Sequence, residues 1–551
     1  MIRFHPKLLD CLPGYSRQHF GQDLAAGLTV GVLALPLAMA FAIASGVSPT
    51  AGIWTAIVAG FLISALGGSR VQIGGPTGAF IVIVYGIVSQ YGVANMMIAT
   101  ILSGLLLIGM GVARLGALIR FIPVSVVIGF TNGIAVLIFL SQLKDFLGLD
   151  GEALPAEFFA KMKALYHALP TADLPTLSVA FGSLAFLLLW NKAVTAKVPL
   201  LRQLPGPLAV LIFGTAAQAL LQFPVETIGS RFGGIPQGMP DLTVPTLTLE
   251  TLRNLISPAI TIALLGAIES LLSARVADSH IDDRHDPNQE LLAQGIANVV
   301  APLFGGFAAT GAIARTTTNV KSGGRSPVAG MIHAATLLAI VLVAAPLAYH
   351  VPLATLSAIL MITAKNMGEW HAFADLKRYS LNYRVILLAT FFITVLFDLT
   401  LAVEIGMVLA ALFFITRMAD LTRVDKLAAP AWASQQQVTA YRLYGALFFG
   451  AVGKLQTLLD QDLRGIDVLI LDLSQAINLD TTGLDTIDAL HRLLGKHGGT
   501  LILAGMTGQP ESLIRRSGFA DRVGDANLCP DLDHAWQRAA ILCPPSELVE
   551  A

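Results

Sequence analysis

Apolar stretches close to twenty residues long, separated by short polar links, fill the chain from about residue 24 to residue 418. A helix needs roughly 20 mostly apolar residues to cross a bilayer. About fourteen membrane segments can be read, some of them half-length: 24–45, 50–67, 76–90, 94–113, 117–143, 174–191, 206–222, 257–279, 288–304, 312–322, 326–346, 352–366, 384–398 and 400–418. They divide seven and seven, the first set ending near Leu221 and the second beginning near Ser257. Residues 153–169 instead read as a short amphipathic helix on the outer surface. Beyond Leu421 the pattern changes. Residues 438–444 alternate like a strand, 468–473 are an apolar run of buried-strand length, 482–494 repeat with helical period, and 500–504 read as another strand. That alternation predicts a compact α/β domain over 435–545.

Two stretches break the apolar pattern at corresponding places in the two halves. One is Gly74-Gly75-Pro76-Thr77-Gly78; the other runs from Gly305 and Gly306 through Thr310, Gly311 and Ala312 to Arg315. Non-helical backbone at membrane depth survives only where protein or a water-filled cavity satisfies its polar groups. Paired interruptions in the two halves of a membrane chain point to a transporter's binding site. New helices are predicted from Thr77 and from Gly311 or Ala312, with Pro76 in the first turn, where a missing N–H costs nothing. Each helix start would carry unpaired amides and a partial positive charge. Small residues there (Gly75, Gly78, Ala79, Gly311, Ala312, Ala314) let an anion approach the backbone, and Arg315 adds a forked cationic donor. The alternative is that Arg315 neutralises Glu269 or caps a neighbouring helix.

Composition agrees with a membrane protein. The 551 residues are 55% hydrophobic and 13% charged, with a mean hydropathy of +0.70. No charged residue occurs between Ala25 and Gly68. A formal net charge of -1 favours neither nucleic acid nor a polyanion as partner. The polar segment 1–22 contains no pattern of a cleavable signal. Cys11, Cys529 and Cys543 lack metal-ligand spacing and read as free thiols. Basic groups gather on alternate sides: Arg3, Lys7 and Arg17; Arg114 and Arg120; Lys192, Lys197 and Arg202; Lys321 and Arg325; Lys365, Lys377 and Arg378; Arg417, Arg423 and Lys426. By the positive-inside rule both termini are cytoplasmic and the acidic loop 145–157 is outside, in a bacterial inner membrane. Seven segments per half make the second half inverted relative to the first.

Glu269 lies deep in segment eight, with Gly266, Ser270 and Ser273 on its side of the helix. A carboxylate at the bilayer centre costs roughly 2.5–3.5 kcal/mol on insertion scales, so such residues face a cavity and have a task. Glu269 could carry a proton, or ligate sodium with help from Ser273; a purely structural ion pair is the alternative. His333 in segment eleven reads as a packing residue, and Asp398 and Glu404 receive no role.

These stretches resemble the SulP (sulfate permease) family of anion transporters over nearly the whole chain. Asp23-Leu24-Ala25-Ala26-Gly27-Leu28-Thr29-Val30, continuing to Leu35-Pro36, is similar to the family's first-span motif. The resemblance implies a uracil-permease-like fold of two inverted seven-segment repeats across residues 23–420. Segments one to four and eight to eleven would form a core domain, and five to seven and twelve to fourteen a gate domain. It also implies one anion bound between the half-helices of segments three and ten, at Thr77, Gly78, Ala79, Ala312, Ala314 and Arg315. The chain departs from the family at Leu37, where many members have glutamine or glutamate, and at Ala312 and Ala314, where animal members often have serines. Glu269 occupies a position like the cation-site aspartate of the sodium-dependent bicarbonate branch. The residues around Glu269 and Arg315 look closer to the proteobacterial dicarboxylate branch. Leu471-Asp472-Leu473-Ser474 with Asp480-Thr481-Thr482-Gly483-Leu484 resembles a cytoplasmic STAS domain. In its antagonist relatives the position of Thr482 is phosphorylated; otherwise Asp480 and Thr482 cap the helix.

The expected function is therefore coupled anion symport by an elevator-like movement of core against gate, as a homodimer with a possible soluble partner at the STAS domain. Sulfate, a C4-dicarboxylate and bicarbonate all suit the site, with a proton or sodium as the coupling ion and no other cofactor. Competing expectations are a sodium-coupled bicarbonate symporter, an uncoupled exchanger or channel, an anion sensor with the STAS domain as output, and a nucleobase permease. No nucleophile–base pair, metal cluster or phosphate-binding loop suggests an enzyme.

Overall fold

The computed structural model describes residues 4–117, 123–151, 154–190, 205–235, 238, 240, 242, 248–397, 399–435, 437–455 and 465–544. Of the residues used to orient the chain, Arg3, Arg120, Lys192, Lys197 and Arg202 lie outside the described residues, as does Asp398. The chain forms two compact units, Met1–Met407 and Val408–Ala551.

A helix lies over each of the expected apolar segments, the last of them, Leu399–Leu421, running from the first unit into the second. Many begin with a hydroxyl or carboxylate cap followed by proline, as at Ser48-Pro49, Asp286-Pro287 and Ser326-Pro327. The cap accepts an otherwise orphaned N–H, and proline has none to lose. Among the described residues six helices are long and apolar enough to span a bilayer, and a seventh span arises if the pair Phe158–Thr171 and Leu174–Leu189, bent by 112°, is counted as one. The rest are shorter, so helix length alone does not give fourteen crossings. Segment eight is longer than expected. It runs as Leu249–Ile281, straight through Pro258.

The helices pack in two groups. Arg17–Ala44 and Pro49–Leu66 contact Pro327–Ala344, and Val93–Val112 contacts Pro287–Val300 and Leu249–Ile281. Val124–Leu147 packs on Leu353–Met367 and Leu381–Leu396, and Leu174–Leu189 on Leu353–Met367. Small residues set the closest approach. A methyl on Gly104 would sit 2.6 Å from the Gly295 carbonyl oxygen, and one on Gly295 2.6 Å from that of Gly104. Such contacts let membrane helices meet through their backbones, where lipid offers no hydrophobic drive for association.

Besides two short strands in the first unit, β1 (Gly74–Gly75) and β2 (Thr310–Gly311), a five-stranded sheet lies in the second unit in the order β3-β4-β5-β6-β7: Arg423–Lys426, Val438–Leu447, Val468–Leu479, Thr500–Ala504 and Leu528–Cys529. The first pairing is antiparallel and the others are parallel. Leu484, Ile487, Leu490 and Leu494 face one side of the sheet from helix Thr481–Lys496. Ala535 and Ala539 cover the other side from Leu532–Leu542. β5 runs six residues beyond the expected 468–473 because its polar second half still pairs with β4.

Candidate functional site

The two interruptions meet. β1, Gly74–Gly75, pairs antiparallel with β2, Thr310–Gly311, so Gly74 lies opposite Gly311 and Gly75 opposite Thr310. Neighbouring side chains satisfy the irregular backbone around this crossing. The Ile73 N–H donates to Thr316 Oγ1 at 3.0 Å, Asn319 Nδ2 to the Val71 carbonyl at 2.8 Å, and Thr310 Oγ1 to the Gly266 carbonyl at 2.8 Å. Asn298 holds Ala309 from both sides, with bonds of 2.8 Å to its N–H and its carbonyl. These bonds meet the demand that buried backbone places on its surroundings.

A helix leaves each strand. The first nucleates in the turn at Thr77, where the Phe80 N–H donates to the Thr77 carbonyl at 3.3 Å, and continues as Phe80–Tyr91. Pro76 therefore precedes the helix instead of occupying its first turn. The second is Ile313–Lys321 with Ala312 as its cap residue, and the Ala312 N–H is taken by the Ile73 carbonyl at 2.9 Å. In the first helix the Ile81 N–H also donates, to the Gly78 carbonyl at 3.2 Å, and in the second the Thr316 N–H donates to the Ala312 carbonyl at 2.8 Å; the amides before these starts have no acceptor within their own helix.

Arg315 is almost wholly buried and donates from Nη2 to the Pro76 carbonyl and from Nη1 to the Gly74 carbonyl at 3.5 Å. Its approach explains Gly75, whose φ is +143° and where an added methyl would lie 2.6 Å from Nη1. Glu269 is half-buried, and its Oε2 accepts a hydrogen bond from Thr77 Oγ1 at 2.8 Å. No ion pair joins Arg315 to Glu269 among the described residues. The carboxylate and the guanidinium instead reach the same turn, one through the Thr77 hydroxyl and the other through the Pro76 carbonyl.

Among the other expected site residues, Ala79 and Ala312 are buried and Ala314 is exposed. Gly78 is covered by Met367, Ile138 and Phe41, the atoms that a methyl there would meet at 3.3 to 3.7 Å. Ser273 does not reach Glu269. Its hydroxyl is buried and bonded to Thr316 Oγ1 at 3.2 Å. His333 is buried with its ring against Gly60. In the second unit Asp480 is the helix cap, accepting from the Gly483 N–H at 2.8 Å and from the Phe449 N–H at 3.0 Å. Thr482 is exposed.

Sequence reasoning missed Glu290. This carboxylate is fully buried and accepts from the Gly68 N–H (2.9 Å), Gln72 Nε2 (3.0 Å), Gln294 Nε2 (2.9 Å) and Ser270 Oγ (3.3 Å). A signal existed: Glu290, Gln294 and Asn298 recur every four residues on an otherwise apolar segment. Asp23, noted only within a motif, is likewise buried and ties Tyr15 to the start of helix Pro327–Ala344.

Comparison with known proteins agrees with this architecture. Residues 20–390 match the sulfate permease family and 429–535 match the STAS domain. YvdB of Bacillus subtilis (strain 168), provisionally named a sulfate transporter, is 43% identical over 517 residues, covering 93% of this chain and 96% of its own. The bicarbonate transporter BicA of Picosynechococcus is 32% identical over 396 residues, covering 70% of this chain and 68% of its own. The murine anion transporter Slc26a9, in its inward-facing state, has the same fold, with a TM-score of 0.86 at 19% identity over 97% of this chain and 94% of its own. A helical transporter unit built around two crossed half-helices, followed by a STAS domain, is the form of an anion transporter and not of an enzyme, and this chain belongs to the sulfate permease family.

Proposed function

We propose that the chain is a secondary active symporter that carries a small oxyanion or carboxylate together with a proton. The observation that carries this reading is Glu269: a half-buried intramembrane carboxylate with, among the described residues, one hydrogen bond, from Thr77 in the turn that starts a half-helix. The anion would bind at Thr77, Gly78 and Ala79 and at Ala312, Ala314 and Arg315, where helix-start amides and a guanidinium supply positive charge. Loading a proton on Glu269 would neutralise it while the anion occupies the site. That lowers the cost of moving the loaded group of helices past the apolar contact of Gly78 with Met367 and Ile138. The moving group, or core, would be segments one to four and eight to eleven, working against the remainder as gate. Ser273, already bonded to Thr316, leaves sodium few oxygen ligands beside Glu269.

A second reading is sodium-coupled bicarbonate uptake at the same site, and the likeness to BicA favours bicarbonate as its anion. Sulfate and C4-dicarboxylates remain the first candidates, sulfate from YvdB and dicarboxylates from the local sequence around Glu269 and Arg315. Both termini would be cytoplasmic, and the STAS domain would support a homodimer and receive regulation at Thr482.

Uptake of labelled sulfate, succinate and bicarbonate into proteoliposomes, under imposed proton or sodium gradients, tests this reading. Outside acidification should drive accumulation of one of the three, and Glu269→Gln should abolish accumulation while retaining anion binding. Sodium-dependent, pH-insensitive uptake would transfer the assignment to the second reading. Full accumulation by Glu269→Gln would remove that carboxylate from the mechanism.

A further inference from the structure

A cavity of about 210 Å³ lies at the end of helix Arg17–Ala44 and reaches Ile81 and Val82, in the first turn of the half-helix that leaves Thr77. Its lining includes three cations, Lys144, Lys161 and Arg231, against one carboxylate, Asp145. Two of the cations are engaged. Arg231 pairs with Asp145 at 2.9 Å and with Glu226, and Lys144 Nζ donates to the Gly151 carbonyl at 2.6 Å.

Lys161 is different. It is only 4% exposed, and among the described residues no carboxylate lies within ion-pair distance of its ammonium. Its one described partner is the face of Tyr85, with Nζ 5.9 Å from the ring centroid. Tyr85 belongs to the same half-helix, and its hydroxyl donates to the Leu154 carbonyl, which fixes the ring beneath the ammonium. Removing an ammonium from water is costly, and an aromatic face offsets only part of that cost. A small anion entering the cavity would supply the rest.

We propose that this cavity is a capture site for a small oxyanion or carboxylate, with the Lys161 ammonium as its ligand, feeding the half-helix site from the face that carries the acidic loop. The proposal rests on the transport reading above for the fate of the anion, but not for its binding. Lys161 raises the local anion concentration at one mouth of the pathway. It is therefore a specificity-determining residue for entry from that side only.

The test uses the full chain with its three cysteines replaced by alanine and Ala156→Cys as a reporter, since Ala156 is exposed and lines the cavity. Labelling rates with an anionic and a cationic methanethiosulfonate reagent are compared, with sulfate, succinate or bicarbonate as competitor and gluconate at equal ionic strength as control. With Lys161 present, the anionic reagent should react faster and at least one competitor should slow it. Lys161→Gln should remove both effects and Lys161→Arg should restore them. In flux, Lys161→Gln should raise the apparent KM from the cavity side about tenfold, the scale of one charge-assisted hydrogen bond, and leave the opposite side unchanged. Equal reagent preference and equal protection with lysine or glutamine at 161 would overturn the capture site, as would protection by none of the three anions. Lys161-dependent protection without flux of any anion would sink the transport reading and leave the capture site standing. Coupled flux without Lys161-dependent protection would do the reverse.

Discussion

Glu269 and Glu290 stand on successive helices of one unit, and the structure treats them in opposite ways. Glu290 is fully buried and accepts four hydrogen bonds. Glu269 is less buried and, among the described residues, accepts one. An ionised carboxylate offers about four acceptor sites. Glu290 has filled them with groups that hold the 66–72 loop, segment eight and segment nine together. Glu269 has most of its acceptor capacity left for water, a proton or a cation. Under the proposed symport, burial alone would point to the wrong acid. The proposal separates a structural carboxylate from a working one by the number of donors already committed to it, and Ser270 makes the contrast local, since it follows Glu269 in the chain yet bonds Glu290.

The sharpest way to break this comparison is Glu290→Ala. Its donors would lose a shared acceptor in a buried site, and each unsatisfied group costs about 1–3 kcal/mol. The expected result is a loss of roughly 3 kcal/mol or more, read as a lowered melting midpoint in detergent or as failure to recover monodisperse protein. A Glu290→Ala variant that melts like the native protein would mean that the cluster is not structural.

Glu269→Gln is the complementary test. Glutamine still accepts the Thr77 hydroxyl, so the melting midpoint should stay close to native, a change within about 1 kcal/mol. Gradient-driven accumulation should nonetheless vanish. A large destabilisation would place Glu269 in the same structural class as Glu290.

Asp23 extends the comparison to a third buried carboxylate. Its oxygens accept from the Arg325 N–H (2.7 Å), the Ser326 N–H (3.2 Å), Ser326 Oγ (2.5 Å) and the Tyr15 hydroxyl (2.7 Å). By donor count it belongs with Glu290. Asp23→Ala should cost about 2 kcal/mol, less than Glu290→Ala because the bonds from the Arg325 N–H and the Tyr15 hydroxyl are only part-buried, where water can replace the lost carboxylate. Transport should fall only in proportion to the folded protein, measured as flux per folded protomer.

The difference between these acids also marks what the sequence could disclose. The interruptions at Gly74 and Gly305 were legible because glycine and proline punctuate an apolar run at matching places in two halves. Glu269 and Arg315 were legible because charge is rare in such runs. The pairing of β1 with β2 was not, since a two-residue ladder leaves no periodicity and its partner lies more than two hundred residues away. The bond between Thr77 and Glu269 depends on that pairing and was equally hidden. Ser273 shows the opposite failure: helical spacing put it on the side of Glu269, but the nearer Thr316 hydroxyl claimed it. In the second unit the strands that alternate or run apolar were readable. The short β3 and β7 were not, because four and two residues carry no pattern of their own.

The smallest expected effect tests whether donor count grades stability one bond at a time. Tyr15 supplies one of the four bonds to Asp23 and stands before the first long helix, at a partly exposed position. Tyr15→Phe keeps the ring and deletes that donor, so it should cost about 0.5–1 kcal/mol, at the low end for a bond to a charged group because water can replace it. Burial, followed by the bond to Asp23, pushes the phenol up to about 12 from 10.0. The folded protein therefore holds the neutral, donating form more firmly than the unfolded chain does. That contribution is fully present below pH 10 and is lost as pH rises through about 12. Melting curves of the native protein and Tyr15→Phe should accordingly differ at pH 8 and converge as the pH is raised above 10. A difference that is constant across that range would assign the effect of the substitution to ring packing, and the count of donors on Asp23 would lose its smallest increment.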